Sequence, residues 1–341
     1  MPLGYECDTR FIAAHHQPAV LIDLALSRGI GSHQLLRGTG LFYEDITSGR
    51  ARISPAQLLT LISNAQRLLD ADDSSFLLGQ RLLPGHYGET SHALNHACTL
   101  LQALEHLQQF RALLSPLLTP RLLLDDKQAH LYWVESWGTE EQQRFLVEAS
   151  LTAVVAMTRR LSGERLPWRF YFSYSQPRHI EQYWVHLSEN LTFDSQWTMM
   201  SLPRKYLHTP WPNASTTAGQ VAQQASHAQL ASLGWQCSFI DQLYDYLLAN
   251  IRAPLNLERV AQAFEMSPAS LKRKLQKQGT HFQEQLDLVR KHVALYLYQM
   301  KGYSNEEVAS YLCFNDTTNF RRSFKRWTGL VPSSLSQLFD R

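Results

Sequence analysis

The sequence predicts an α+β amino-terminal domain followed by an all-α domain built on a double helix-turn-helix. Three observations lead there. The last 90 or so residues carry one pattern twice: a short apolar helix, a sharp turn, then a helix that is apolar on one side and basic on the other. The first 200 or so residues instead mix segments of helical period with segments that alternate like strands. Between the two textures lies Pro203 to Gly219, with Pro210-Trp211-Pro212-Asn213 followed by Ala214-Ser215-Thr216-Thr217, a run of turn-forming residues.

In chain order, helices are expected at Pro18 to Arg28, Ser54 to Leu69 and Ser75 to Leu83, the second opened by Ser54-Pro55. Thr90 to Leu114 reads as one longer helix, because Leu94, Ala97, Leu101, Leu104, Leu107 and Leu114 recur at helical spacing. Leu122 to Leu124 and Ala129 to Val134, separated by the polar run Asp125 to Gln128, form a β-hairpin pattern. Gln142 to Leu161 returns to helical period. Arg169 to Tyr174 alternates as a strand, His179 to Glu189 reads as a helix, and Leu191 to Met200 as a further strand. Gln220 to Leu233 is expected to be a connecting helix. The domain boundaries read from this pass are 1–202, a linker over 203–237, and 238–341.

The repeat carries the physics. In its first copy Leu257, Val260, Ala261 and Phe264 share a helical face, and Ser267-Pro268 opens a new helix as N-cap and first-turn proline. In its second copy Ser304 and Glu307 form a capping box, Val308, Ala309 and Leu312 repeat the apolar face 48 residues on, and Asn315-Asp316 is the second opener. Leu271 and Leu275, then Phe320 and Phe324, pin one side of each second helix to its own small core, so the opposite side faces outward. That outward side is Ala269, Lys272, Arg273 and Gln276 in the first copy and Thr318, Arg321, Arg322 and Lys325 in the second. Ser270, Lys277, Thr317 and Asn319 flank these positions and complete the candidate DNA-binding set. A helix fits the major groove of B-DNA, where arginine makes bidentate contacts to guanine. A single basic face is as readily explained by solvation; two copies with matching caps and cores favour double-stranded DNA as partner.

Residues 240 to 338 resemble the DNA-binding domain of the AraC/XylS family of bacterial transcription regulators. The resemblance includes the linking helix Phe282 to Met300, with Arg290 and Ala294 at matching places, and runs through Glu306-Glu307-Val308-Ala309 and Phe320-Arg321-Arg322-Ser323-Phe324-Lys325-Arg326-Trp327-Thr328-Gly329 to Pro332. Cys313 departs from the glycine usual before the phenylalanine, here Phe314. A non-glycine residue there must accept whatever backbone angle the turn imposes. The amino-terminal region is similar to the effector and dimerisation domains of the branch that includes ornithine-utilisation regulators, through Tyr87-Gly88, Thr99-Leu100-Leu101-Gln102-Ala103-Leu104, Arg160-Leu161-Ser162-Gly163 and Phe193-Asp194. What the resemblance implies is a ligand-responsive regulator of transcription that forms a homodimer, with RNA polymerase as a further partner if it activates.

Composition agrees with that division of labour. Residues 251 to 341 contain 14 Lys+Arg against 8 Asp+Glu, whereas the whole chain holds 32 against 30, so the amino-terminal remainder is acidic and unsuited to phosphate over most of its surface. Cys7, Cys98, Cys237 and Cys313 lie far apart without a C-x-x-C pair, which fits reduced thiols. The start of the chain has neither a basic nor an apolar signal region, and no apolar stretch reaches membrane-spanning length; a cytoplasmic protein without a membrane partner is expected. Glu89, His92 and His96 fall on one helix face, but a single helix rarely closes a metal shell, so neither metal nor cofactor is expected.

An enzyme would need a nucleophile with its base, a metal motif or a phosphate-binding glycine loop, and none is legible. A repair methyltransferase fused to a regulator would need clustered cysteines, which the chain lacks. For the effector, the aromatic residues Trp133, Trp137, Phe172, Tyr174, Tyr183 and Trp184 are the candidate pocket lining, with a cavity expected between Trp133 and Trp184. Core packing of the same rings is the competing reading. An amino-terminal module that binds protein rather than a small molecule remains the alternative.

Overall fold

A computed structural model describes residues 4–135 and 142–332, which fall into two compact units, residues 4–238 and residues from Phe239 onward. The first unit is mixed α/β. Its helices are α1 (Gln17–Ser27), α2 (Ser32–Leu35), α3 (Tyr43–Thr47), α4 (Pro55–Leu69), α5 (Ser74–Leu82), α6 (Glu89–Asn95), α7 (Leu100–Gln109), α8 (Arg111–Leu114), α9 (Gln143–Ser162), α10 (Ile180–His186) and α11 (Thr216–Leu233). Strands β1 (Ile12–Ala13) and β2 (Arg52–Ile53) make a small antiparallel pair. A five-stranded sheet runs in the order β3 (Leu118–Leu124), β4 (Gln128–Glu135), β7 (Met199–Pro203), β5 (Arg169–Tyr171), β6 (Leu191–Thr192), antiparallel except between β5 and β6.

The expected hairpin forms with Leu122 opposite Leu131 and Pro120 opposite Trp133. Its turn is held by Asp125, whose Oδ1 accepts from the amides of Lys127 and Gln128 at 2.7 and 2.6 Å while Oδ2 lies 2.9 Å from His130 Nε2. Ser54 caps α4 through a reciprocal capping box with Gln57, and Pro55 occupies the first turn. The unit's core gathers the buried leucines of α1, α4, α7 and α9 with Phe76, Phe110, Phe170 and Phe172. Gly79 lets α5 cross α9 closely: a Cβ there would sit 2.5 Å from the Ala149 carbonyl oxygen.

Three expectations are corrected. Thr90 to Leu114 is not one helix but α6, α7 and α8. Thr99 restarts the chain as N-cap of α7, accepting from the Gln102 amide at 3.3 Å, while Gln102 Oε1 accepts from the Cys98 amide at 2.7 Å. These side chains satisfy backbone donors that a continuous helix would have bonded internally, and leucine periodicity survives the interruption. The strand expected over Arg169 to Tyr174 ends at Tyr171, and the strand expected over Leu191 to Met200 is two strands. Asp194 takes φ 54°, a left-handed turn that breaks the second run.

The helix expected over Gln220 to Leu233 begins earlier, at Thr216, capped by Ser215. It packs along α6 with Gly219 against His96, so by its contacts it belongs with residues 4–238. Packing decides that membership; the polar, alanine-rich composition of α11 conceals it.

The second unit is all-α: α12 (Phe239–Ala249), α13 (Leu257–Ala263), α14 (Pro268–Lys277), α15 (Phe282–Lys301), α16 (Asn305–Tyr311) and α17 (Thr317–Thr328). Helix α15 lies between the repeated pairs α13–α14 and α16–α17. No helix among the described residues is long and apolar enough to cross a membrane.

Candidate nucleic-acid interface

The two helix-turn-helix modules are built by the same bonds. In the first, Asn256 caps α13, the Phe264 amide donates to Val260 O at 3.1 Å, and the Met266 amide donates to Ala261 O at 3.0 Å. In the second, Ser304 caps α16 and its own amide donates to Glu307 Oε2 at 2.7 Å. The Leu312 amide then donates to Val308 O at 3.0 Å and the Phe314 amide to Ala309 O at 2.9 Å. Glu265 and Cys313 take φ 56° and 57° at the equivalent point of the two turns. The angle that a glycine would adopt freely is therefore imposed on both residues.

Each turn delivers a capped second helix. Ser267 accepts from the Ser270 amide at 3.1 Å with Pro268 in the first turn, and Asp316 accepts from the Asn319 amide at 2.7 Å. Leu271 and Leu275 of α14, and Phe320 and Phe324 of α17, are fully buried. Around Phe320 and Phe324 pack the rings of Tyr298, Phe314 and Trp327, whereas leucines, Leu271 and Leu275, hold the corresponding anchor places in the first module.

This anchoring turns Ala269, Lys272, Arg273, Gln276 and Lys277 of α14 to solvent, and likewise Thr318, Asn319, Arg321, Arg322 and Lys325 of α17. Ser270 and Thr317 are half-buried. Among the described residues Lys272, Arg273, Arg321, Arg322 and Lys325 make no ion pair with an acid, which leaves their charge available to a polyanion. Ser270 and Asn319 are different. The Ser270 hydroxyl lies 3.0 Å from that of Ser267, and Asn319 Nδ2 donates to Asp316 Oδ2 at 2.6 Å, so both belong to the caps.

Two contacts escape sequence reasoning, although both arginines lie in the motif that carries the resemblance. Arg326, which continues the basic run, is tied to Asp287 of α15 at 2.9 Å and so locks α17 onto the linking helix. Arg290 of α15 stacks 5.1 Å over Phe314, and burial lowers its pKa. Such pairs join residues far apart in the chain and leave no local signal.

In the first unit, Phe172, Tyr174 and Tyr183 come together. Phe172 meets both tyrosine rings at 5.2 Å, and the two hydroxyls lie 3.2 Å apart. Tyr183 donates to Glu148, which also accepts from Ser75 at 2.6 Å and from Arg144 Nε at 2.8 Å. Burial, reinforced by neighbouring Glu148, raises the pKa of Tyr183. These rings are thus packed against a satisfied buried carboxylate. Trp133 lines a separate, leucine-rich cavity of which Trp184 is not part; Trp184 is 48% exposed on α10. Among the described residues, strand β4 and helix α10 thus turn the two tryptophans to different surroundings. Trp137 lies outside the described residues.

Residues 29–211 match the arabinose-binding amino-terminal domain of AraC transcription regulators, and residues 260–337 match a helix-turn-helix domain. The chain is 31% identical over 314 residues to the ornithine utilization regulator of Pseudomonas aeruginosa, an alignment that covers 92% of this chain and 93% of that protein. It is 22% identical over 341 residues to an uncharacterized HTH-type transcriptional regulator of Mycobacterium tuberculosis, covering 93% and 94% of the two. The crystal structure of the transcriptional regulator CdpR from Pseudomonas aeruginosa aligns with a TM-score of 0.44 at 19% identity, covering 94% of this chain and 98% of that one. Two capped helix-turn-helix modules behind a mixed α/β domain, with these matches along nearly the whole chain, place the protein in the AraC family of DNA-binding transcription regulators.

Proposed function

We propose that α14 and α17 enter successive major grooves on one face of the duplex and that residues 4–238 control this binding in response to a small-molecule effector. The observation that carries the first part is the matched anchoring of the two helices, which turns Lys272 and Arg273 of α14 and Arg321, Arg322 and Lys325 of α17 to solvent without an acidic ion-pair partner among the described residues. Arg273 and Arg322 read bases, since each follows its buried anchor, Leu271 or Phe320, by two residues. Lys277 and Lys325, nearer the helix ends, meet phosphate. Lys272, Gln276, Thr318 and Arg321 fill the same exposed faces.

The regulatory half of the proposal rests on family membership and on the acidic character of the amino-terminal residues. The protein acts as a homodimer in the bacterial cytoplasm, on the nucleoid when bound, and engages RNA polymerase if it activates. A regulator whose first unit binds a protein instead of a small molecule is the second reading; half-exposed Trp184 beside Val185, 70% exposed, favours it.

The test is footprinting of the full chain on DNA recovered by genome-wide mapping. Two protected major-groove segments about 10 base pairs apart per monomer are expected. One protected segment per monomer overturns the two-groove assignment.

A further inference from the structure

The cavity that Trp133 of β4 lines lies among α1, α4, α5, α7, α8, α9 and the start of β3, and measures about 50 Å³. Its deep wall is wholly aliphatic, with Leu21, Leu58, Ile62, Leu107, Ala153 and Val154 all buried. Among the described residues, no aspartate, glutamate, lysine, arginine or histidine lines it. Where solvent still reaches the lining, the side chains include Gln17, Ser115 and Ser150. Gln17 Nε2 already donates to Leu114 O at 2.7 Å, and the Ser115 hydroxyl to Leu118 O, which leaves the Gln17 amide oxygen and the Ser115 hydroxyl oxygen as acceptors, and the Ser150 hydroxyl, for a ligand.

We propose, building on the effector-responsive reading above, that this cavity binds a short aliphatic molecule with an uncharged polar head, its hydrocarbon against the deep wall and its head at Gln17, Ser115 and Ser150. A charged group carried inward would lose its hydration and find no countercharge. Apolar cavities stay dry and accept hydrophobic guests for the same reason. The volume admits only a few carbons, far short of a drug-sized ligand.

The experiment is a ligand-detected NMR titration of the full chain with the alkanols from 1-propanol to 1-octanol, and with L-ornithine as a charged molecule of similar length. Affinity is expected to rise about threefold to fourfold for each methylene that the cavity buries, then to level off within the series. Ala153→Leu, which fills the deep end, and Ser150→Val, which removes a head-group partner, should each weaken the best alkanol; the second variant decides the matter if the first does not fold.

The proposal fails if no alkanol saturates, if both folded variants bind as the parent does, or if L-ornithine binds instead with the same sensitivity to the two substitutions. Operator affinity measured alongside separates the two readings. Alkanol binding that leaves operator affinity unchanged upholds the ligand class and removes the effector role, whereas a response confined to charged molecules upholds the role and overturns the ligand class.

Discussion

Glu265 and Cys313 occupy the same place in two turns 48 residues apart, and both hold a left-handed backbone angle that disfavours residues with a Cβ. The angle costs a non-glycine residue about 1–2 kcal/mol, part of which is returned as chain entropy when glycine replaces it. Cys313→Gly is therefore expected to stabilise the second unit by about 0.5–1 kcal/mol, read as a raised midpoint in denaturant melts, whereas an unchanged or lowered midpoint would contradict strain at this turn. The position was legible beforehand as a departure from the family's glycine, but the angle was not. On the exposed faces, Arg273→Ala or Arg322→Ala should each cost about 1–3 kcal/mol on operator and relax preference at a few base positions. Lys277→Ala or Lys325→Ala should weaken specific and random DNA alike and reduce the salt slope by about one. Equal losses on operator and random DNA for the two arginine variants would refute base reading.

Caps set where the elements begin. Ser304 and Glu307 bond reciprocally at the start of α16, away from the anchored face of α17. Ser304→Ala should lower stability by about 1 kcal/mol through the lost N-cap while leaving operator affinity at saturating folded protein unchanged. Urea melts and filter binding on the same preparation check both parts. At the α5–α9 crossing two effects oppose each other. Alanine in place of Gly79 would gain up to about 1 kcal/mol of helix propensity. Its Cβ would also meet the Ala149 carbonyl oxygen at 2.5 Å and Thr152 Cβ at 2.7 Å, neighbours held by α9 itself. Such overpacking costs about 1–3 kcal/mol, so Gly79→Ala is expected to destabilise the first unit. A stabilised variant would show that the helices separate freely. The sequence announced α9 and the caps of α14, α16 and α17, while the break at Thr99 rests on side-chain bonds and that at Asp194 on a left-handed backbone angle, neither of which periodicity encodes.

Over the whole molecule, the acidic first unit and basic second unit respond differently to their surroundings. His16 is buried beside Tyr87, and burial together with the nearby charges of His15, Arg52 and His86 lowers its pKa from 6.5 to about 4. Between those values the unfolded chain takes up a proton that the folded chain refuses, so stability falls as pH drops from about 6.5 towards 4, by about 1 kcal/mol per pH unit, and changes no further below. Denaturant midpoints of the full chain across that range should fall, and His16→Gln should flatten the trend; a parallel trend in the variant would remove His16 from the account. If an effector favours the DNA-competent state, operator must in turn tighten effector binding by the same factor, whatever its identity. Calorimetric titration of effector with and without operator measures that factor on both sides, and unequal factors would show that the two ligands do not share one equilibrium.

Much of the second unit was legible in the linear pattern of residues. Its information is local: caps at Ser267, Ser304 and Asp316, apolar anchors at i and i+4, and a repeat that makes each half a check on the other. Family membership was legible for the same reason. How the aromatic residues of the first unit divide was settled by long-range packing, with Phe172, Tyr174 and Tyr183 on Glu148, Trp133 on a leucine-lined cavity and Trp184 at the surface. It also decided that α11 packs on α6 and that Arg326 is held by Asp287. These are contacts between residues distant in the chain, fixed by which surfaces fit once the core closes, and a one-dimensional pattern carries hydrophobicity and spacing but not that fit.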